Sequence, residues 1–342
     1  MRKKIPDSKV IEQTLGGRKL VLASNRGPIQ FERGKDGKRE WRRGAGGLIT
    51  ALDSILKATK AYWIASAMTE EDSRAAKNQK LLGLPEDDPF YWIYLLDIPP
   101  DKYDQYYNEV SNDLLWFLNH HLFDVANEPT FGSQFRKAWD NGYVAVNKQF
   151  AQAIASLTKD DDDPVIMIQD YHLYLVGGFL RQLKRDALLF HFVHVPWCSP
   201  DYFRILPTDV RQAILESLLA LDIVGFHSRR YVRNFILCCQ DLLGCRIDLR
   251  HGKVYYRDRV VLVKAYPISI GVEETRKMLE IPEVTEGIEK LSEITDKYKL
   301  ILRVDRAELS KNLIRGFEAF AMLLDTHPEL LGTLKFLAYA YP

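Results

Sequence analysis

Four short polar clusters in this chain each follow an apolar run directly: Ser24-Asn25-Arg26, Gln169-Asp170-Tyr171-His172, His194-Val195-Pro196-Trp197-Cys198, and Asp305-Arg306 with Lys311. Singly each has a plain reading, since an aspartate after a strand caps the next helix about half the time. Four in register are harder to dismiss, because an open α/β sheet brings its strand ends to one rim, where ligands bind. Arg306 and Lys311 stand across a strand-to-helix turn. Two cations beside a helix N-terminus suit a diphosphate leaving group, and a solvated pair of surface charges is the alternative. Gly46-Gly47 opens a helix after a polar loop, where bare amides admit phosphate; a flexible turn is the plainer reading. The glycines form neither G-x-G-x-x-G nor a P-loop, which excludes a nicotinamide site and a Walker-type nucleotidase. With no G-x-S-x-G, H-E-x-x-H or Cys–His signature, hydrolase chemistry has no footing. Tyr107 and Trp116 are nine apart, about two and a half turns of an ordinary helix. One face does not hold both squarely, so they read as core aromatics. His120, His121 and His227 read as structural or surface residues.

The elements that must carry these residues are legible from apolar runs. Residues 19–24, 62–64, 92–95, 165–168, 188–194 and 222–226 read as strands, and 101–119, 132–157, 173–183, 208–220 and 229–243 as helices. Unbroken apolar strands alternating with helices argue for a parallel sheet covered on both faces. Residues 31–43 read as a charged loop or hairpin, 48–56 as an amphipathic helix, and 254–263 as a small hairpin. After a charged helical stretch with Pro282, a further strand, helix and strand follow at 299–304, 312–324 and 334–339. The division is thus a polar lead at 1–18, an N-terminal domain at 19–271, a helical linker at 272–298 and the start of a second domain at 299–342.

Composition bounds the rest. At 342 residues the chain is long enough for two domains. It is 46% hydrophobic and 27% charged, which is ordinary globular composition. A net charge of +1 gives no overall field for nucleic acid or membrane, and no apolar run reaches spanning length. Cys198, Cys238, Cys239 and Cys245 make neither a disulfide framework nor a C-x-x-C metal pair. These features describe a soluble protein of a reducing, cytoplasmic compartment.

The order of the motifs carries a resemblance. Ser24-Asn25-Arg26, Ala45-Gly46-Gly47-Leu48, Tyr106-Tyr107-Asn108, Leu115-Trp116, Asp170-Tyr171-His172-Leu173, His194-Val195-Pro196-Trp197, Pro267 to Gly271 and Val304-Asp305-Arg306 with Lys311 stand in one order over residues 19–342. In that order the chain resembles the trehalose-6-phosphate synthase family, glycosyltransferase family 20. The resemblance implies a GT-B fold, with a complete N-terminal Rossmann-like domain and the first part of a C-terminal one. It implies glucose transfer from a nucleotide-glucose, UDP-glucose first, to glucose 6-phosphate, with retention and without metal or other cofactor. Gly46 and Gly47 would meet the donor, Arg306 and Lys311 its diphosphate, and His194 the donor glucose near the reacting carbon. Asp170 would bind sugar hydroxyls, Arg26 and Tyr107 the acceptor phosphate, and Trp116 the acceptor side. The substrates are then its small-molecule partners, neither nucleic acid nor membrane is one, and a homo-oligomer stays open.

Two departures qualify the resemblance. Where the family often has Trp-x-Gly-Trp-x-Gly, this chain reads Trp63-Ile64-Ala65-Ser66-Ala67-Met68. The substitution near Ser66 leaves another acceptor open, as in glucosylglycerol-phosphate synthases or cyclitol-coupling pseudo-glycosyltransferases. The family's Arg-Leu-Asp-x-x-Lys-Gly reads Arg306-Ala307-Glu308-Leu309-Ser310-Lys311-Asn312, which keeps both cations. The family's later acidic motif would fall beyond position 342, so the chain is expected to be a fragment, and a non-catalytic binding subunit is a further alternative.

Overall fold

A computed structural model of the chain describes residues 8–35, 37–44, 49, 52, 59–78, 81–84, 89 and 91–341. Its strands are β1 (Leu20–Ala23), β2 (Ile29–Arg33), β3 (Arg39–Arg43), β4 (Tyr62–Ser66), β5 (Leu82–Leu84), β6 (Tyr91–Leu96), β7 (Val165–Gln169), β8 (Leu188–Val193), β9 (Ile223–Phe226), β10 (Arg246–Asp248), β11 (Lys253–Tyr256), β12 (Arg259–Ala265), β13 (Lys299–Arg306) and β14 (Leu334–Tyr341). Ten of them form one sheet in the order β10-β11-β12-β9-β8-β7-β1-β4-β6-β5. From β12 to β6 every neighbouring pair is parallel, and antiparallel strands close both edges. From β1 the chain runs to β4 and β6 on one side, then returns to β7, β8, β9 and β12 on the other. The strand order therefore reverses between β1 and β7, the switch point where open α/β sheets hold ligands.

β1 is buried on both faces, which is why it lacks a polar alternation. Along β1, Val21 and Ala23 pack into one core while Leu20 and Leu22 pack into the other. Ser8–Leu15, within the lead read as polar, forms helix α1, and Glu70–Asn78 forms α2. A continuous helix α3 runs through Pro100–Asp104, Gln105–Trp116 and Phe117–His120, and α4 through Ser133–Lys137, Ala138–Val144 and Ala145–Leu157. The middle stretch of each is wound wider, with i→i+5 bonds. Further helices are α5 (Val176–Leu183), α6 (Pro200–Phe203), α7 (Thr208–Leu218) and α8 (Arg229–Leu243). The stretch expected as one helix over 173–183 instead begins with a short 3₁₀ turn, Tyr171–Leu173. β2 and β3 pair antiparallel as a charged hairpin. The helix read over 48–56 falls almost wholly outside the described residues.

The chain divides into two compact units at Ile268 and Ser269. In the second, α9 (Val272–Lys277) and α10 (Pro282–Thr295) precede β13, α11 (Leu313–Thr326) and β14. β13 and β14 pair in parallel from Lys299↔Leu334 to Arg306↔Tyr341. Phe317 and Phe320 of α11 pack on Phe336, with ring centroids 5.5 and 5.3 Å away.

Candidate functional site

Leu20–Ala23 ends in a turn that is bonded through. Trp63 Nε1 donates to Ser24 Oγ at 2.7 Å, and Ser24 Oγ donates to the Arg26 carbonyl at 2.7 Å. Asn25 is buried beside them; its Nδ2 donates to Tyr103 Oη at 3.1 Å, and Oδ1 accepts from Ser66 Oγ at 3.1 Å. This turn aims Arg26 outward, where it is exposed and its Nη2 donates to Tyr107 Oη at 3.2 Å. Tyr107 is held flat between two rings, 5.3 Å from Tyr103 and 5.5 Å from His172, both nearly parallel to it. A cation and a phenol thus converge at the carboxyl end of β1, a fit for an oxyanion.

The next strand end, β7, lies across the switch point. Asp170 has φ +69° and ψ 176°, a region costly for any residue with a side chain. Its neighbours fix it there. The Asp170 amide donates to the Phe192 carbonyl at 2.7 Å, its Oδ1 accepts from the His194 amide at 3.0 Å, and its carbonyl meets His191 Nε2 at 3.0 Å. Burial raises its carboxyl to about 6, against the lowering effect of the backbone amides of His194, Tyr171 and Val195. His194 follows β8 with Nε2 2.9 Å from Gln169 Oε1, which suits the Nε2–H tautomer. Burial, with His227 and His191 nearby, lowers His194 to about 3; burial, with Arg26 and His194, does the same to His172. The rim therefore offers one exposed cation, neutral imidazoles and a carboxylate that is ionised at pH 7.

In the second unit, Arg306 and Lys311 are joined through a residue the sequence reading passed over. Glu308 Oε2 lies 3.0 Å from Arg306 Nη2, and its Oε1 lies 3.3 Å from Lys311 Nζ. Burial pushes the Glu308 carboxyl up, but Ser310, Lys311 and Arg306 together hold it below its ordinary value. Asn312, in place of the family's glycine, takes the left-handed conformation at φ +53° that lets Leu313 start a helix.

The rim of the first unit thus brings together Arg26 and Tyr107, and beside them Asp170 and His194. Trp116 is half-buried, its ring 4.2 Å from His120. The expectation that one helix face does not hold Tyr107 and Trp116 is corrected by the winding: with i→i+5 bonds over Gln105–Trp116, nine residues come close to two turns. Gly46 and Gly47 lie outside the described residues. Among the described residues no three His, Cys, Asp or Glu side chains converge as a metal cluster, and no helix is long and apolar enough to cross a membrane. Sequence reasoning missed Tyr103, Glu308 and the stacking of His172; only the aromatic density at Tyr103-Asp104-Gln105-Tyr106-Tyr107 hinted at the first.

Fold and rim together define an α/β protein of the GT-B type, with polar groups gathered where its strand order reverses. The family model for glycosyltransferase family 20 matches residues 18–342, and the chain belongs to that family. It is 32% identical over 331 residues to the alpha,alpha-trehalose-phosphate synthase (UDP-forming) of Emericella nidulans, covering 95% of this chain and 62% of that protein. The corresponding Aspergillus niger enzyme 2 is also 32% identical, with 96% and 66% covered. A solved E. coli structure described as trehalose-6-phosphate bound with UDP-2-fluoro glucose matches with TM-score 0.77 and 26% identity, covering 94% of this chain and 64% of that one. The N-terminal domain of a Candida albicans trehalose-6-phosphate phosphatase matches at 0.76 and 25%, with 95% and 64% covered. The chain therefore spans a little under two thirds of the relatives it matches.

Proposed function

We propose that the protein serves retaining glucosyl transfer from a nucleotide-glucose, UDP-glucose first, to glucose 6-phosphate, giving trehalose 6-phosphate. The observation that carries the reading is the Arg26–Tyr107 pair at the switch point, beside Asp170 and His194, in a chain of glycosyltransferase family 20. In this reading Arg26 and Tyr107 hold the acceptor phosphate, and Trp116 borders the acceptor. Asp170, ionised above about pH 6, accepts from sugar hydroxyls. Neutral His194, oriented by its Nε2–H bond to Gln169, contacts the donor glucose near the reacting carbon. Gly46 and Gly47 approach the donor sugar and diphosphate from the N-terminal unit. Arg306 and Lys311 take the diphosphate from the second unit, exchanging Glu308 for phosphate oxygens as charge builds on the leaving group. The leaving diphosphate helps to remove the acceptor proton, so the reading needs no metal. The names of the curated relatives, trehalose-phosphate synthases described as UDP-forming, support the donor. A soluble, cytoplasmic setting accompanies this proposal.

One observation favours a second reading, a family member with another acceptor. Ser66, near the position of an acceptor-side tryptophan in the family pattern, is buried and bonded to Asn25. Incubation with UDP-, GDP- and ADP-glucose against glucose 6-phosphate, glycerol 3-phosphate and a cyclitol phosphate separates the two. The first reading expects trehalose 6-phosphate; product from another acceptor alone would replace it with the second.

A further inference from the structure

On the helix layer of the first unit, α4, α5, α7 and the β11–β12 turn border an open cavity of about 620 Å³ whose arginine-lined end faces away from the polar rim. Its Arg259 opens β12, and Asp222, which bonds Arg259 and Arg181, immediately precedes β9, so this is the amino end of the strands. Trp139, Leu175, Phe179, Ala213 and Leu219 give it an apolar lining. Arg181, Arg185, Arg257 and Arg259 face Glu216 and Asp258 around it, which leaves a positive excess. Volume and lining are those of a small-molecule site.

The four arginines differ in what they have left to give. Arg181 is committed, with bonds to Asp222 and to the carbonyls of Ala220, Arg185 and Ala187. Arg259 donates to Asp222 Oδ1 from Nη2 at 2.6 Å, but its Nε is buried with no partner among the described residues. An orphaned guanidinium N–H costs stability until an acceptor arrives. The exposed Arg185 side chain has no partner among the described residues. Arg257 reaches Glu216 only at 3.8 Å, and that carboxylate already accepts from Tyr256 Oη at 2.8 Å.

We propose that this cavity binds a small anionic molecule with an aromatic or apolar body. Its acidic group meets Arg185, Arg257 and Arg259, and its body rests on Trp139 and Phe179. No residue of the rim takes part, so the inference stands apart from the proposed transfer reaction.

Fluorescence titration of the 342-residue chain with anilinonaphthalene sulfonate, beside its uncharged parent phenylnaphthylamine, tests it. A saturable one-site component is expected for the sulfonate. The double variant Arg185→Ala, Arg257→Ala should weaken it about a hundredfold, the loss of two charge-assisted contacts at about tenfold each, and leave the uncharged probe unmoved. Ala213→Trp, which fills the cavity, should remove the component for both probes, whereas Arg26→Ala at the rim should change neither. Sulfonate affinity that ignores the arginine pair overturns the proposal, and these exposed side chains decide it even if Ala213→Trp does not fold. Probe binding that falls as chain concentration rises also overturns it, since a second copy would then occupy the face.

Discussion

In the proposed reaction, Arg26 with Tyr107, and Arg306 with Lys311, would meet charges that behave differently during transfer. An acceptor phosphate keeps its charge throughout, whereas charge on a leaving diphosphate grows in the transition state. Steady-state kinetics should therefore separate them. Arg306→Ala is expected to lower kcat about 10²–10³-fold with the glucose 6-phosphate KM little changed. Arg26→Ala and Tyr107→Phe are expected to raise that KM with a smaller effect on kcat; equal effects of all three would mean the two sides are misassigned. The buried titratable groups set a second expectation. His172, His191 and His194 fall from 6.5 to about 3, so acid protonates them in the unfolded chain long before it does so in the fold. Asp170 works the other way, raised from 3.8 to about 6, so its contribution is full below 3.8 and lost as pH rises through 6. Three histidines against one carboxylate leave an uptake of about two protons on unfolding between these limits. Stability should therefore fall below pH 6.5, with a lower urea midpoint at pH 5 than at pH 7; an equal or higher midpoint would contradict it. The polar clusters were legible because each follows an apolar run at once. Tyr103 and Glu308 were not: Tyr103 meets Asn25 78 positions away, and Glu308 matters only once its turn folds it between two cations.

At the scale of elements, α3 decides where Tyr107 stands. Nothing in the apolar periodicity of residues 101–119 marks an i→i+5 winding, because both windings bury one broad face. Packing against α4 marks it instead. A Cβ at Gly142 would lie 2.6 Å from Gln105 Cβ and 2.9 Å from the Tyr106 amide, so the two wide stretches touch through a missing side chain. Gly142→Ala should force them apart, costing about 1–3 kcal/mol of stability. By moving Tyr107 it should also raise the glucose 6-phosphate KM. Unchanged urea midpoint and KM would show that the close approach positions nothing. The sheet was easier to read: β1 is apolar along its length and buried on both faces, whereas the short edge strands β5 and β10 carry too few residues for a pattern.

Over the whole molecule, stability is unevenly held. The first unit buries most of the large apolar side chains of the ten-stranded sheet, while no described residue of the second is buried. Leu302 and Val304 of β13 and Ile314 of α11 are each more than half exposed. Amide hydrogen exchange should accordingly be slowest in β1, β7 and β8 and fast in β13 and β14; matched protection would contradict this division. The strand–helix–strand order of the second unit was legible from its apolar runs, and so was its exposure, since one such unit is too small to close a core. The central claim concerns the rim of the first unit, and calorimetric titration of glucose 6-phosphate and of glucose into this chain and its Arg26→Ala variant tests it most directly. Glucose 6-phosphate should bind better than glucose and lose about tenfold in affinity on removal of the guanidinium. Glucose 6-phosphate that binds both chains equally, or no better than glucose, would contradict the claim.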